Sequence, residues 1–361
     1  MGMGILSRVS RVWQRTEVTL AIGIALLEIS ILVGWVFLRG LSSHYTGEGD
    51  SAGLVVRAVA GIVLLGGVTH WALARTKIPV NARRLGVVVA CAAGVIAARL
   101  GVDVGSDGAS NLVAWLQSAS VLALMGGPRG IVTRLTLWLA LIGASLAAGR
   151  GKHINIDVAT RMLPRRAVVP VTLFGWGVAA AVSFAATVGF LDSIAVTKFR
   201  ADAFTSCKSE AGKICDTPVG ERFDVVRQGL GVDALLFKTQ LALDIRTLPR
   251  VLSGEPFDGW MTGDVWNDFL KDSDFGLYFS PEAVDGLRAQ TADEMRTPAV
   301  VDPTTGEGRN RLIRVLDLIL PFGLLVLGLK FVLRVLLGLT GEIQIEGEGT
   351  HEMAVELGEA P

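Results

Sequence analysis

The stretch Leu135–Arg166, LTLWLALIGASLAAGRGKHINIDVATRMLPRR, decides how the rest of the chain is read. Its front half, up to Gly149, carries no charge, and then Arg150, Lys152, Arg161, Arg165 and Arg166 crowd together. An apolar run closed by Lys and Arg is the pattern of a membrane helix leaving the bilayer on its cytoplasmic side. The same stretch can be tested for chemistry. A phosphate loop needs G-x4-G-K-[ST]; here Gly151-Lys152 is preceded five positions earlier by Leu146 and followed by His153, so both the cradle and the magnesium ligand are missing. His153 and Asp157 share a face if the segment is helical. Two ligands rarely hold a functional metal, and the other histidines lie in distant segments. We read Arg150 and Lys152 as reaching lipid headgroups. His153 and Asp157 then hydrogen-bond each other, the backbone or a partner chain.

The composition agrees with a membrane chain. Of 361 residues, 51% are hydrophobic and only 19% charged, below the roughly 25% charge of ordinary soluble chains. The formal net charge is zero, so the global charge says nothing about nucleic acid or acidic partners, and no nucleic-acid partner is expected. Spans of about 20 apolar residues are expected at 17–39, 53–74, 84–101, 131–149, 168–191 and 312–338. A further apolar run at 110–126 carries Asn111, Gln117, Ser118 and Ser120. We read it as an interfacial helix or a lead-in to the next span, because a seventh crossing would turn the basic stretch after Gly149 outward. Arg8, Arg11 and Arg15, then Arg75, Lys77, Arg83 and Arg84, mark further cytoplasmic segments, whereas SSHYTGEGDS and DVGSDGAS hold acids and no Lys or Arg. The expected fold is therefore an all-α polytopic membrane protein. Residues 1–191 form its main membrane region, 192–311 a small, mainly helical periplasmic insert, and 312–338 the last span. Residues 339–361 form an acidic cytoplasmic tail.

The insert carries more acids than bases. Cys207 and Cys215 flank KSEAGKI, poor spacing for a four-ligand zinc site and better for a short disulfide in an oxidising compartment. Its aromatics, Trp260, Trp266, Phe269, Phe275, Tyr278 and Phe279, either build its own core or offer a receiving face; the core is the favoured reading. Within the spans, Glu28 is a deep carboxylate expected to be buried against another helix. There is no dense set of intramembrane carboxylates and no visible inverted repeat, so a complete transporter core is not expected.

The stretch from Leu135 resembles the second membrane helix and following loop of the small membrane subunits of tripartite ATP-independent periplasmic (TRAP) transporters, the DctQ type. Trp138, Gly143, Ala144, Arg150, His153, Ile154, Ile156, Asp157, Leu163 and Pro164 fall on that family's pattern. The segment DLILPFGLLVLGLKFVLRVL resembles its last span, and ILVGWVFLRG the end of its first. Departures are the two spans at 53–74 and 84–101, the large insert, and GGPRGIVTR where the family often has an acidic pair. The resemblance implies a non-catalytic subunit that is not an enzyme. It would anchor a large membrane subunit and work beside a periplasmic substrate-binding protein in the inner membrane. Uptake of organic acids such as dicarboxylates would follow an ion gradient, with the coupling ion, sodium in most such systems, and no other cofactor, held by the large subunit. Trp138, Gly143, Arg150, His153, Asp157 and Pro164 would be loop-ordering or subunit-contact residues. The rival reading is a membrane-anchored extracytoplasmic ligand-binding, sensor or assembly protein, against which stands the lack of a recognisable cytoplasmic output domain.

Overall fold

The structure, a computed structural model, describes residues 5–42, 51–76, 79–99, 106–150, 164–202, 204–206 and 214–342. In chain order its longer helices are α1 (Ile5–Ser42), α2 (Ser51–Gly61), α3 (Gly67–Ala74) and α4 (Val80–Arg99). Then come α5 (Ser106–Ser118), α6 (Val121–Leu124), α7 (Gly127–Arg150) and α8 (Arg165–Phe199). A π-turn at Ile62–Gly66 joins α2 to α3 without breaking the rod. Beyond α8 lie β1 (Phe204–Ser206), β2 (Ile214–Asp216), α9 (Val219–Leu252), α10 (Gly263–Lys271), α11 (Phe275–Tyr278), α12 (Pro281–Asp285), α13 (Ile313–Asp317) and α14 (Ile319–Leu339). The strands form an antiparallel ribbon, with Thr205 opposite Cys215, one short β element among the described residues.

Among the described residues, six helical stretches are long and apolar enough to cross a membrane: Leu6–Ser42, Gly53–Ala74, Val80–Ala97, Gly127–Gly149, Ala167–Phe199 and Ile313–Leu339. The protein is an all-α polytopic membrane protein. Leu26, Val63, Leu85 and Phe174 lie bare on the surfaces of these helices. In water such exposure would be costly; against lipid tails it is required, while the helix satisfies its own backbone polar groups. The expected run at 110–126 is split between α5 and α6 by a break at Ala119 and Ser120, where the Ser120 hydroxyl donates back to the Leu116 carbonyl at 2.9 Å.

The chain divides into two compact units. The first holds residues 1–28, 132–229 and 314–361. Among its described residues, α7 and α14 run one way, and α8 and the front of α1 the other. The pairings that fix these directions are Glu17 with Ser145 and Glu28 with Thr136, then Arg134 with Asp317 and Ala148 and Trp176 with Phe331. Small residues permit the close approach: a Cβ on Gly323 would lie 2.5 Å from Leu141, and one on Gly328 would lie 3.0 Å from Phe184.

The second unit holds residues 29–131 and 230–313. Gly61 and Gly94 let α2 and α4 touch backbone to backbone, since a Cβ on either would sit 2.5 Å from the other's carbonyl group. The core of residues 230–313 is built on Leu236, Leu243, Met261, Trp266, Phe269 and Phe275, with Trp260 and Phe279 packed against it. These aromatics are thus core, whereas Tyr278 is half exposed beside the bare Leu277.

The helix pair α5–α6 is fastened to that core by polar groups. Asn111 donates to the Glu255 carbonyl at 2.7 Å and accepts from the Phe257 amide at 3.0 Å. The buried Gln240 amide donates to the Ala119 and Pro298 carbonyls and to Asp244, and its oxygen accepts from the Val300 amide. Asp244 accepts from the Val121 amide at 2.7 Å, capping α6 where its first N–H groups have no helical partner. Burial pushes the Asp244 carboxyl above the usual carboxylate range, against the pull of Gln240 and the Val121 amide. Asp302 behaves oppositely. Burial pushes it up, but the Thr304 hydroxyl and amide together with Arg311 hold it below that range.

Candidate functional site

The most chemically distinctive place lies in the first unit, inside the spans. Glu17 on α1 and Lys330 on α14 form an ion pair, and they are only 5% and 4% exposed. The sequence explains why the pair must be internal. Lys330 stands eleven residues after Ile319 and nine before Leu339 in an otherwise strongly apolar helix, too deep for its ammonium to reach the headgroups readily. A charge so placed is stable only if paired. The carboxylate is fully used: its Oε1 accepts from Trp13 Nε1 at 2.7 Å and from Ser145 Oγ at 2.5 Å, and its Oε2 takes Lys330 Nζ. A buried ion whose remaining lone pairs meet donors offsets much of its desolvation cost.

One turn along α14, Arg334 repeats the device. Its Nη2 donates to the Gly149 carbonyl at 2.6 Å, and its guanidinium lies 5.0 Å from the Trp176 ring centroid. The carbonyl belongs to the last turn of α7, where backbone acceptors lack helical partners and cations are favoured. Gly149 has a second duty. A Cβ there would come within 2.9 Å of Lys330 Cε, so any side chain would press on the ion pair. Beside this, Ala148, Trp176, Ala180 and Phe331 form a sealed apolar patch. The cluster therefore joins α1, α7, α8 and α14. At the other end of the same helices Arg134 donates twice to Asp317, at 3.2 and 3.1 Å. There too Arg314 lies 4.6 Å from the Phe199 ring and donates to the Lys198 and Gly229 carbonyls.

The arrangement can hold helices in register; among the described residues no group of three or more His, Cys, Asp or Glu stands ready for a metal. Glu28 is half-buried on α1 and accepts from the Thr136 hydroxyl at 2.6 Å. Trp138 is half-buried on α7. Gly143 is exposed, and a Cβ added there would meet nothing within 4 Å. Arg150 closes α7 with its side chain outside the described set, and Pro164 caps α8 in extended geometry. His153, Asp157 and Cys207 lie outside the described residues, as does the side chain of Cys215. Sequence reasoning missed Glu17, Ser145, Lys330 and Arg334. The usable signal was opposite charges on two apolar helices, Glu17 at the edge of the first run and Lys330 inside the last.

Comparison with known proteins bears on the same helices. No curated protein and no solved structure matches the chain. Residues 121–206 match the family model described as "Tripartite ATP-independent periplasmic transporters, DctQ component", a range that takes in α6, α7, α8 and β1. Two of the helices gathered at the buried ion pair, α7 and α8, thus lie in the range similar to the DctQ component, and the rest of the chain lies outside that match.

Proposed function

We propose that the protein is the small, non-catalytic membrane subunit of a TRAP-type secondary transporter, anchoring the large permease subunit in the inner membrane. The observation that carries this reading is the DctQ match at residues 121–206 on helices tied to α1 and α14 by Glu17–Lys330 and Arg334. Those four helices would be the family's four spans, brought together although α2–α4 and residues 230–313 intervene in sequence. The outward side of α7, with Gly143 and Ala144 exposed, offers a surface where a partner helix can approach closely. With both termini cytoplasmic, residues 192–311 would be periplasmic, where the substrate-binding protein docks. Its substrates would be organic acids such as dicarboxylates, and the coupling ion would sit in the large subunit. His153, Asp157 and Pro164 would order the loop at that interface, and Cys207 and Cys215 would close a disulfide.

The test is reconstitution. Co-expressed with a large TRAP membrane subunit from the same source, the full chain should co-purify as a stable complex. In proteoliposomes the pair should take up an organic acid only when binding protein and an ion gradient are both present. A chain that purifies alone from cells containing that partner, or uptake that proceeds equally without this chain, refutes the proposal.

A further inference from the structure

The hairpin formed by α3 and α4 ends in a cavity of about 410 Å³ lined by His70, Val80, Arg83, Arg84, Val87 and Val88. A guanidinium can only donate, so the 3.0 Å contact between Arg83 Nη2 and His70 Nε2 has the imidazole accepting. That bond ties α4 to α3 and fixes the direction of the guanidinium. Nearby, Arg75 stacks 3.8 Å from the Trp71 ring centroid. Helices α2, α3 and α4 contain no Asp or Glu, so no carboxylate on these helices answers the positive charge. The N-terminus of α4 at Val80 adds the positive end of a 20-residue helix. Two arginines and a histidine lining one cavity at the end of two apolar helices suit an anion such as a lipid headgroup phosphate. The three valines give it an apolar wall. Simple snorkelling needs no cavity and no histidine brace, and the structure has both.

We propose that this cavity binds a phosphate group, with Arg83 and Arg84 as its ligands and His70 as the brace that positions Arg83. Phosphate at this place has two sources, the headgroup of an anionic phospholipid or a soluble phosphate, and the test separates them. The full chain is purified, stripped of lipid in detergent, and titrated with phosphatidylglycerol, phosphatidylcholine or inorganic phosphate while native mass spectrometry counts bound molecules. The lipid source predicts retained phosphatidylglycerol, little phosphatidylcholine, and no displacement by millimolar phosphate. Displacement by phosphate, or phosphate bound in place of lipid, assigns the soluble source instead.

In either case Arg83→Gln with Arg84→Gln should lower binding about tenfold or more, and Arg84→Lys should retain most of it. Removing the same charge elsewhere, by Arg11→Gln with Arg15→Gln on the exposed side of α1, should leave it unchanged. Should the double variant fail to fold, Arg84→Gln alone carries the test, since that side chain is exposed. Equal losses from both pairs of variants, or no specific binding by the unaltered chain, would overturn the proposal.

Discussion

Replacing Lys330 by Met removes one partner from an ion pair that is 5% exposed at Glu17 and 4% at Lys330. Interhelical hydrogen bonds in membranes average only about 0.6 kcal/mol, because separated helices find other partners. Here two full charges are nearly sealed from solvent, and breaking a buried pair costs about 3–5 kcal/mol. Geometry places the two single variants at different ends of that range. Without Lys330, Glu17 still accepts from Trp13 and Ser145, so Lys330→Met should cost about 3 kcal/mol. Without the carboxylate, Lys330, Trp13 and Ser145 all lose their acceptor, and Glu17→Leu should cost about 5 kcal/mol. The double variant substitutes apolar volume for both ions and should recover most of the loss, leaving about 1–2 kcal/mol for the two orphaned neutral donors. Equilibrium unfolding of the full chain in mixed micelles, followed by tryptophan fluorescence, reads all three. A Lys330→Met loss near 0.6 kcal/mol, or a double variant as unstable as the sum of the singles, would show that the pair is solvated and that α1 is held by something else.

Gly61→Val should cost about 1–3 kcal/mol by overpacking, because its Cβ would lie 2.5 Å from the Gly94 carbonyl oxygen, while Gly67→Val, with nothing within 4 Å of its Cβ, should cost far less in the same unfolding assay. Asp302 and Asp244 should tilt the pH profile in opposite directions. Asp302 is depressed in the fold, so its contribution is present above the unfolded value near 3.8 and is lost as pH falls through the lower folded value; Asp302→Asn should flatten that acid limb. Asp244 is raised, so the fold is favoured at low pH and loses that contribution as pH rises from about 3.8 through the raised value; an acid limb that steepens when Asp302 is replaced would contradict the Asp302 assignment. Gly143→Leu should leave the melting temperature of the isolated chain within about 1 °C, since no described residue lies within 4 Å of its Cβ, yet abolish co-purification with the large subunit; unchanged co-purification would remove Gly143 from the interface.

Much of the membrane architecture was legible because apolar run length is a direct physical demand of the bilayer. The run at 168–191 did not show its true extent: α8 continues to Phe199 and spans about 52 Å, since a helix need not stop where the lipid does. The run at 110–126 was ambiguous for a clear reason. Its apolar residues Trp115 and Ala119 are buried against Val251, Phe257 and Ala299, so their apolar character serves packing within the chain. The β ribbon left no signal at all, each strand being three residues long. The ion pair was hidden because its partners lie 313 positions apart; Lys330 and Arg334 looked like the basic end of a span until the structure set Glu17, Gly149 and Trp176 around them.

The helix α7 shows why a sequence motif and a buried cluster can occupy the same residues without being the same site. Two residues apart on a helix lie about 200° apart around its axis. Ser145 faces inward to Glu17 at 1% exposure, whereas Gly143, two positions earlier, is exposed with open space beyond its Cα. Four residues on from Ser145, Gly149 returns to the inner side and gives its carbonyl to Arg334. The alternation of small residues in LIGASLAAG thus serves two neighbours at once. The inner set must be small to admit Lys330 and to leave the last carbonyls of α7 open. Among the described residues nothing makes such a demand on Gly143 in the outer set, which fits the proposal that a partner helix packs there. Substitutions of the two sets should therefore separate: inner ones lower the stability of the isolated chain, outer ones its assembly alone. A large outer side chain that destabilises the isolated chain as much as an inner one would show that both sets serve the same internal packing.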